Sequence, residues 1–141
     1  MSRAAASFTH HLRVRWAEAD QQGVVFNGHY LTYFDIGMTE YLRALYDGDA
    51  KAMFAIFNDV YVVRSELDYM GSARFDEEID IVVRPLRLGR SSMTLSFEIR
   101  RGDQTLISGQ NVYVHAPSGA SQPWPDDFRE RIGHIGQPAD A

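Results

Sequence analysis

The sequence predicts an α+β domain in which one long amphipathic helix accompanies five antiparallel strands. Two observations carry this. Tyr30, Tyr33, Phe34, Gly37, Tyr41, Leu42 and Leu45 recur at helical spacing and form one stripe of about four turns. After that helix come segments of strand character, and glycine-containing turns separate three of them. The 141 residues, 45% of them apolar, suit one domain spanning 1–141, with fraying expected at about 1–6 and 136–141.

The first strand is read from alternation. Phe8, His10, Leu12, Val14 and Trp16 share one face, and Thr9, His11, Arg13 and Arg15 share the other. The turn "EADQQG" interrupts that pattern. The long helix follows, with Asn27 expected as its N-cap and Asp47-Gly48 as its stop. Gly37 within the apolar stripe costs about 1 kcal/mol relative to alanine, which close approach of helix to sheet would offset. "DAKAMFAIFN" is expected to add a short second helix. The segments "DVYVVRSELDY", "EEIDIVVRPLRLG", "SSMTLSFEIRR" and "QTLISGQNVYVHA" are the remaining strands, turning at Gly89 and at Gly102-Asp103. Pro85 marks an edge or a bulge. "WPDDFRERIG" reads as a short C-terminal helix. A single long helix covers only one face of such a sheet, which leaves the other to water or to a partner.

Composition narrows the function. A net charge of −5 argues against nucleic acid as a partner, while local basic clusters remain suited to an anionic small molecule. The absence of cysteine excludes disulfides, thiolate metal sites and a cysteine nucleophile, and it is compatible with a reducing compartment. "MSRAAASFTHHLRV" holds no apolar run of signal-peptide length, and no segment approaches a membrane span. The expectation is a cytoplasmic protein that makes no use of a membrane. No metal site is expected, since His10 and His11 point to opposite faces of a strand.

The stretch "RWAEADQQGVVFNGHYLTYFDIG" sets Asp20 before a glycine-containing bend that opens directly onto a helix N-terminus. One reading makes Asp20 a turn or helix-dipole residue. The other makes it a catalytic carboxylate facing a preformed oxyanion site.

The order of elements and the run Asp20-x-x-Gly23-x-Val25-x-Asn27-x-x-Tyr30 resemble the hotdog-fold acyl-CoA thioesterases of the 4-hydroxybenzoyl-CoA thioesterase type. The stretches "SELDYMGSARFDEEIDI", "LRLGRSSMTLSFEI" and "ISGQNVYVHAPSG" share the likeness, which runs from about Phe8 to the "DDFRERI" helix. The resemblance implies a five-stranded antiparallel sheet wrapped around one long central helix. It further implies a homodimer or homotetramer with the site at the subunit interface. The substrate would be an acyl-CoA, or an acyl-carrier thioester, hydrolysed without any cofactor, since coenzyme A is part of the substrate. Asp20 would be the catalytic carboxylate, and the backbone N–H of Asn27 the donor that polarises the carbonyl.

In chemical terms Asp20 would either attack the thioester carbonyl or act as general base on water. A helix-start N–H stabilising the developing oxyanion would contribute about 3 kcal/mol. Gly23, Gly28, His29 and Tyr30 are candidate substrate contacts around the bend and helix start. Arg64, Arg87, Arg90 and Ser91 are candidates for the nucleotide phosphates, which a turn rich in arginine and serine suits. Glu40 is the alternative carboxylate on the helix itself. Two other functions compete: a non-catalytic acyl-CoA or acyl-carrier binding protein, and a hotdog hydratase or dehydratase. The second lacks its motif, because Val25 stands where that class has histidine.

Overall fold

The computed structural model describes residues 7–136, so the expected fraying at both ends lies outside the described residues, Gly136 excepted. In chain order the elements are β1 (Phe8–Arg13), a 3-10 turn (Trp16–Glu18), α1 (His29–Leu45), α2 (Ala50–Phe57), β2 (Val60–Tyr69), β3 (Glu78–Leu88), β4 (Ser92–Arg101), β5 (Gln104–His115) and α3 (Asp126–Gly136). The strands form one antiparallel sheet in the order β1-β3-β4-β5-β2. β3, β4 and β5 are the expected meander, while β1 and β2 close its two sides.

α1 packs on the sheet against β1 and β3. Its whole sequence stripe, from Tyr30 to Leu45, is buried, and Phe34 stacks on Phe97 of β4 with ring centroids 4.4 Å apart. Each such side chain contributes about 1.5–3 kcal/mol by leaving water. Burial of this stripe therefore fixes where the helix, and with it the helix start, sits on the sheet.

Pro85 lies two residues beyond Val83, the last β3 residue paired with β1, and a bulge follows it between Pro85 and Arg87. β3 has lost one neighbour at that point, so the missing N–H of proline costs little. α2 is capped by the Asp49 side chain, which accepts from Ala52 N–H at 3.1 Å. Before α3, Trp124 stacks on His115 of β5 and on Phe128 of α3, and its indole N–H donates to Ser92 O at 3.0 Å.

The first strand corrects the sequence reading. Pairing with β3 stops at Arg13, and Trp16 opens the 3-10 turn with 70% of its surface exposed. Alternation predicts an inward residue only while the strand continues. Val14 is the last one buried on that face.

Candidate active site

The chain from Glu18 to Phe26 folds as a small hairpin. Ala19 bridges Val25, Phe26 N–H donates to Glu18 O at 3.1 Å, and Asp20 N–H donates to Val24 O at 2.8 Å. Gly23 N–H closes the turn on Asp20 O at 3.0 Å, with Gly23 at φ +80°, a conformation that glycine adopts without a Cβ penalty. One carboxylate oxygen of Asp20, Oδ1, accepts from Gln22 N–H at 2.8 Å and Val24 N–H at 3.4 Å. This is the self-capping habit of aspartate at the first position of a turn. Oδ2 accepts from no protein donor among the described residues, and the side chain is exposed.

The second arm of the hairpin runs into α1. Asn27 is not the N-cap. Gly28 holds that position without any side-chain cap, because one more residue is needed for the chain to leave the hairpin before it turns helical. His29 N–H donates to Phe26 O at 2.9 Å and Tyr30 N–H to Asn27 O at 3.4 Å. The N–H groups of Asn27 and Gly28 donate to no protein acceptor among the described residues. Unshared amides at the positive end of a helix attract an oxyanion. A Cβ at Gly28 would lie 3.1 Å from the Phe26 ring, so glycine also keeps this corner tight.

The hairpin is fastened from behind. Val25 N–H donates to Ala73 O and Phe75 N–H to Gly23 O, both at 2.9 Å, and Val24 bridges Arg74. Tyr30 is buried, and its hydroxyl accepts from Ala73 N–H at 3.0 Å, so its visible role is to anchor the 70–77 loop. His29 is half-buried, with its ring edge-on to exposed Phe26 at 5.8 Å. Trp16 and Phe75, also edge-on at 5.0 Å, add exposed aromatic surface beside the turn.

The predicted phosphate-binding residues are not brought to Asp20 within one protomer. Arg64 on β2 pairs with Glu66 at 2.6 Å. Arg87 and Arg90 are exposed near the turn that ends β3, and Ser91 lies in that turn with its carbonyl accepting His115 N–H at 2.9 Å. β3 begins at Glu78, beside the Asp20 end of the sheet, and its length carries Arg87 about 30 Å away. Arg74 meets the Asp20 hairpin through its backbone, at the bridge to Val24. Glu40 pairs with Arg43 at 3.1 Å and sits 11 residues beyond His29, about 16 Å along α1.

Two further acids, Glu18 beside the Asp20 turn and Asp35 on α1, carry no local signal of a role. Glu18 is buried, and its carboxylate accepts from Arg15 N–H at 2.9 Å, Arg15 Nε–H at 2.8 Å, an Arg15 terminal N–H and the Tyr33 hydroxyl at 2.8 Å. Burial pushes this carboxyl up, but the bonds from Arg15 and Tyr33 outweigh it and hold the group below the ordinary carboxylate range. Burial and the same contact push the Tyr33 hydroxyl far up, so it stays a proton donor. Asp35 on α1 opens into a groove of about 250 Å³ with Met38, Phe57, Val60, Val62 and Tyr113, and desolvation raises its carboxyl. Asp35 is the only acid between Asp20 and Glu40 in the sequence.

Fold and site together define a hotdog-fold protein with a carboxylate turn leading into an open helix start. The family model for the thioesterase superfamily matches residues 22–108, and the chain belongs to that superfamily. Among solved structures, a thioesterase from Thermus thermophilus, complexed with coenzyme A and Zn, is 26% identical. That match covers 89% of this chain and 91% of the other, with a TM-score of 0.78. A hypothetical protein from Aquifex aeolicus is 21% identical over 89% of this chain and 98% of its own, with a TM-score of 0.81. A 1,4-dihydroxy-2-naphthoyl-CoA thioesterase from Synechocystis is 18% identical over 89% and 95%, with a TM-score of 0.77. No curated protein matches the sequence.

Proposed function

We propose that this protein hydrolyses an acyl-CoA thioester to the free acid and coenzyme A, in the manner of the 4-hydroxybenzoyl-CoA thioesterase type. Asp20 acts as nucleophile or general base. The N–H groups of Asn27 and Gly28 polarise the carbonyl and receive its developing negative charge. The observation that carries this reading is the hairpin, which pairs the Asp20 arm with the arm that delivers the two unshared amides. Coenzyme A bound to the Thermus relative supports an acyl-CoA ligand. The route needs no metal or organic cofactor, because a thiolate leaves readily once the carbonyl is attacked.

The working unit in this reading is a cytoplasmic homodimer or a tetramer built from it. β2 supports it: this edge strand exposes Tyr61, Val62, Val63 and Tyr69, an apolar edge that soluble proteins cover. Antiparallel pairing of two such edges would bring the partner's β3–β4 turn to the same end of the joint sheet as Asp20. Arg87, Arg90 and Ser91 would then serve the nucleotide of a substrate held across the interface, with Gly23, Gly28 and His29 lining its thioester end.

The test is thiol release from benzoyl-, 4-hydroxybenzoyl-, hexanoyl- and palmitoyl-CoA by wild type and Asp20→Asn. Hydrolysis by wild type with loss of about 10²-fold or more in the variant supports the mechanism. Equal rates would remove Asp20 from it. Tight binding of these compounds with no release by wild type favours a binding protein, a reading to which the self-capped Oδ1 of Asp20 lends weight.

A further inference from the structure

We infer that Glu18 is the positioning residue of this site, a buried carboxylate that locks the Asp20 arm, the Asn27–Gly28 amides and α1 into one fixed relation. Its kinetic consequence rests on the hydrolase reading above; its structural content does not.

An exposed turn has no need of a buried ion, and withdrawing a carboxylate from water is costly unless donors surround it. The Glu18 side chain is only 9% exposed, and every donor it meets belongs to a segment of the site. Arg15 lies at the base of the 3-10 turn and supplies a backbone and a guanidinium bond. Tyr33, one turn into α1, supplies the hydroxyl. Through its main-chain oxygen Glu18 also holds Phe26 N–H at 3.1 Å, the residue just before the two unshared amides. Asp20 follows two residues later on the same arm. Glu18 thus touches both arms of the hairpin and the helix that the second arm enters.

The chemistry proposed for Asp20 does not use this carboxylate, whose oxygens are filled by Arg15 and Tyr33. It acts through distance. Misplacing a reacting group by 1 Å is enough to cost about 10²-fold in rate. Tyr33→Phe removes one donor and leaves the ring in the core. Glu18→Gln turns one acceptor into a donor facing Arg15.

The experiment measures acyl-CoA hydrolysis with the four thioesters named above, on Glu18→Gln, Tyr33→Phe, the double variant and Asp20→Asn. It adds the Asn27 and Gly28 amide resonances in ¹⁵N–¹H spectra. For Glu18→Gln and Tyr33→Phe the expected result is a folded protein whose kcat falls about 10- to 100-fold with KM little changed. The double variant should be no worse than Glu18→Gln, and both amide resonances should move. Wild-type kcat with unmoved resonances in the two single variants overturns the inference. If Glu18→Gln does not fold, Tyr33→Phe decides by the same readouts. An Asp20→Asn enzyme as active as wild type overturns the hydrolase reading instead, and the resonances then decide the role of Glu18.

Discussion

Gly37 of α1 faces Ile81 of β3 so closely that a methyl group on Gly37 would lie 2.7 Å from Ile81 Cγ2 and 3.2 Å from Val83 Cγ2. Both neighbours are fully buried β-branched residues, so neither yields easily. Gly37→Ala gains about 1 kcal/mol of helix propensity and meets an overpacking cost of roughly 1–3 kcal/mol. The cost is expected to win. Urea unfolding should show a net loss of about 1 kcal/mol for Gly37→Ala and a larger one for Gly37→Val.

Gly23 tests the backbone of the Asp20 turn. Its φ of +80° is open to glycine, and no atom stands within 4 Å of where a Cβ would project. Substitution is therefore limited by backbone strain alone, about 1–2 kcal/mol for an ordinary residue. Gly23→Asn should be tolerated with most activity intact, because asparagine accepts the left-handed region. Gly23→Val should open the turn, free Asp20 Oδ1 from Gln22 and Val24, and lower kcat more than it lowers stability. Steady-state kinetics beside thermal unfolding of both variants will show the split.

Elements whose signal lies within one segment were legible in the sequence. The stripe from Tyr30 to Leu45 reads directly as a buried helix face because its partners lie three and four residues away. Pro85 announced its bulge for the same local reason. What escaped depends on distant residues. No local pattern says that β2 pairs with β5 rather than β3, or that β1 stops at Arg13 and leaves Trp16 exposed. The site divides likewise. The Asp20 turn was readable from its spacing, whereas nothing local marks Glu18, whose carboxylate is buried by contacts with Arg15 and Tyr33 that only the fold creates. Arg87 and Arg90, read as phosphate candidates, stand at the far end of β3 from the Asp20 turn within one protomer, a separation that no local pattern encodes.

The exposed edge of β2 should report on oligomeric state. Val63 is 60% exposed and sits at the bulge where β2 changes register against β5. A lysine there follows the device by which edge strands avoid pairing. On the β2 interface proposed above, Val63→Lys is expected to sediment as a smaller species than wild type at the same concentration, with activity falling in parallel. A variant that remains associated and fully active would move the interface away from β2.

His11 lies between two acids on the outer face of β1 and β3, with Nε2 at 2.8 Å from Glu78 and Nδ1 at 2.7 Å from Asp80. The bonds to Glu78 and then Asp80 raise its pKa above the ordinary 6.5. The bond from His11, helped by Arg13, lowers that of Glu78 below the ordinary 4.5. A raised histidine stabilises the fold fully below 6.5 and loses that contribution as pH climbs through its folded value. A depressed glutamate contributes above 4.5 and loses it as pH falls through its own folded value. Both terms are in place together between 4.5 and 6.5. His11→Ala should therefore lower the urea midpoint most in that window, and the gap to wild type should narrow as pH climbs through the folded value of His11. All the groups are at the surface, so added salt should shrink the gap as well. A gap that stays the same size from that window into alkaline pH would mean that packing of the ring, and not its charge, is what β1 gains from His11.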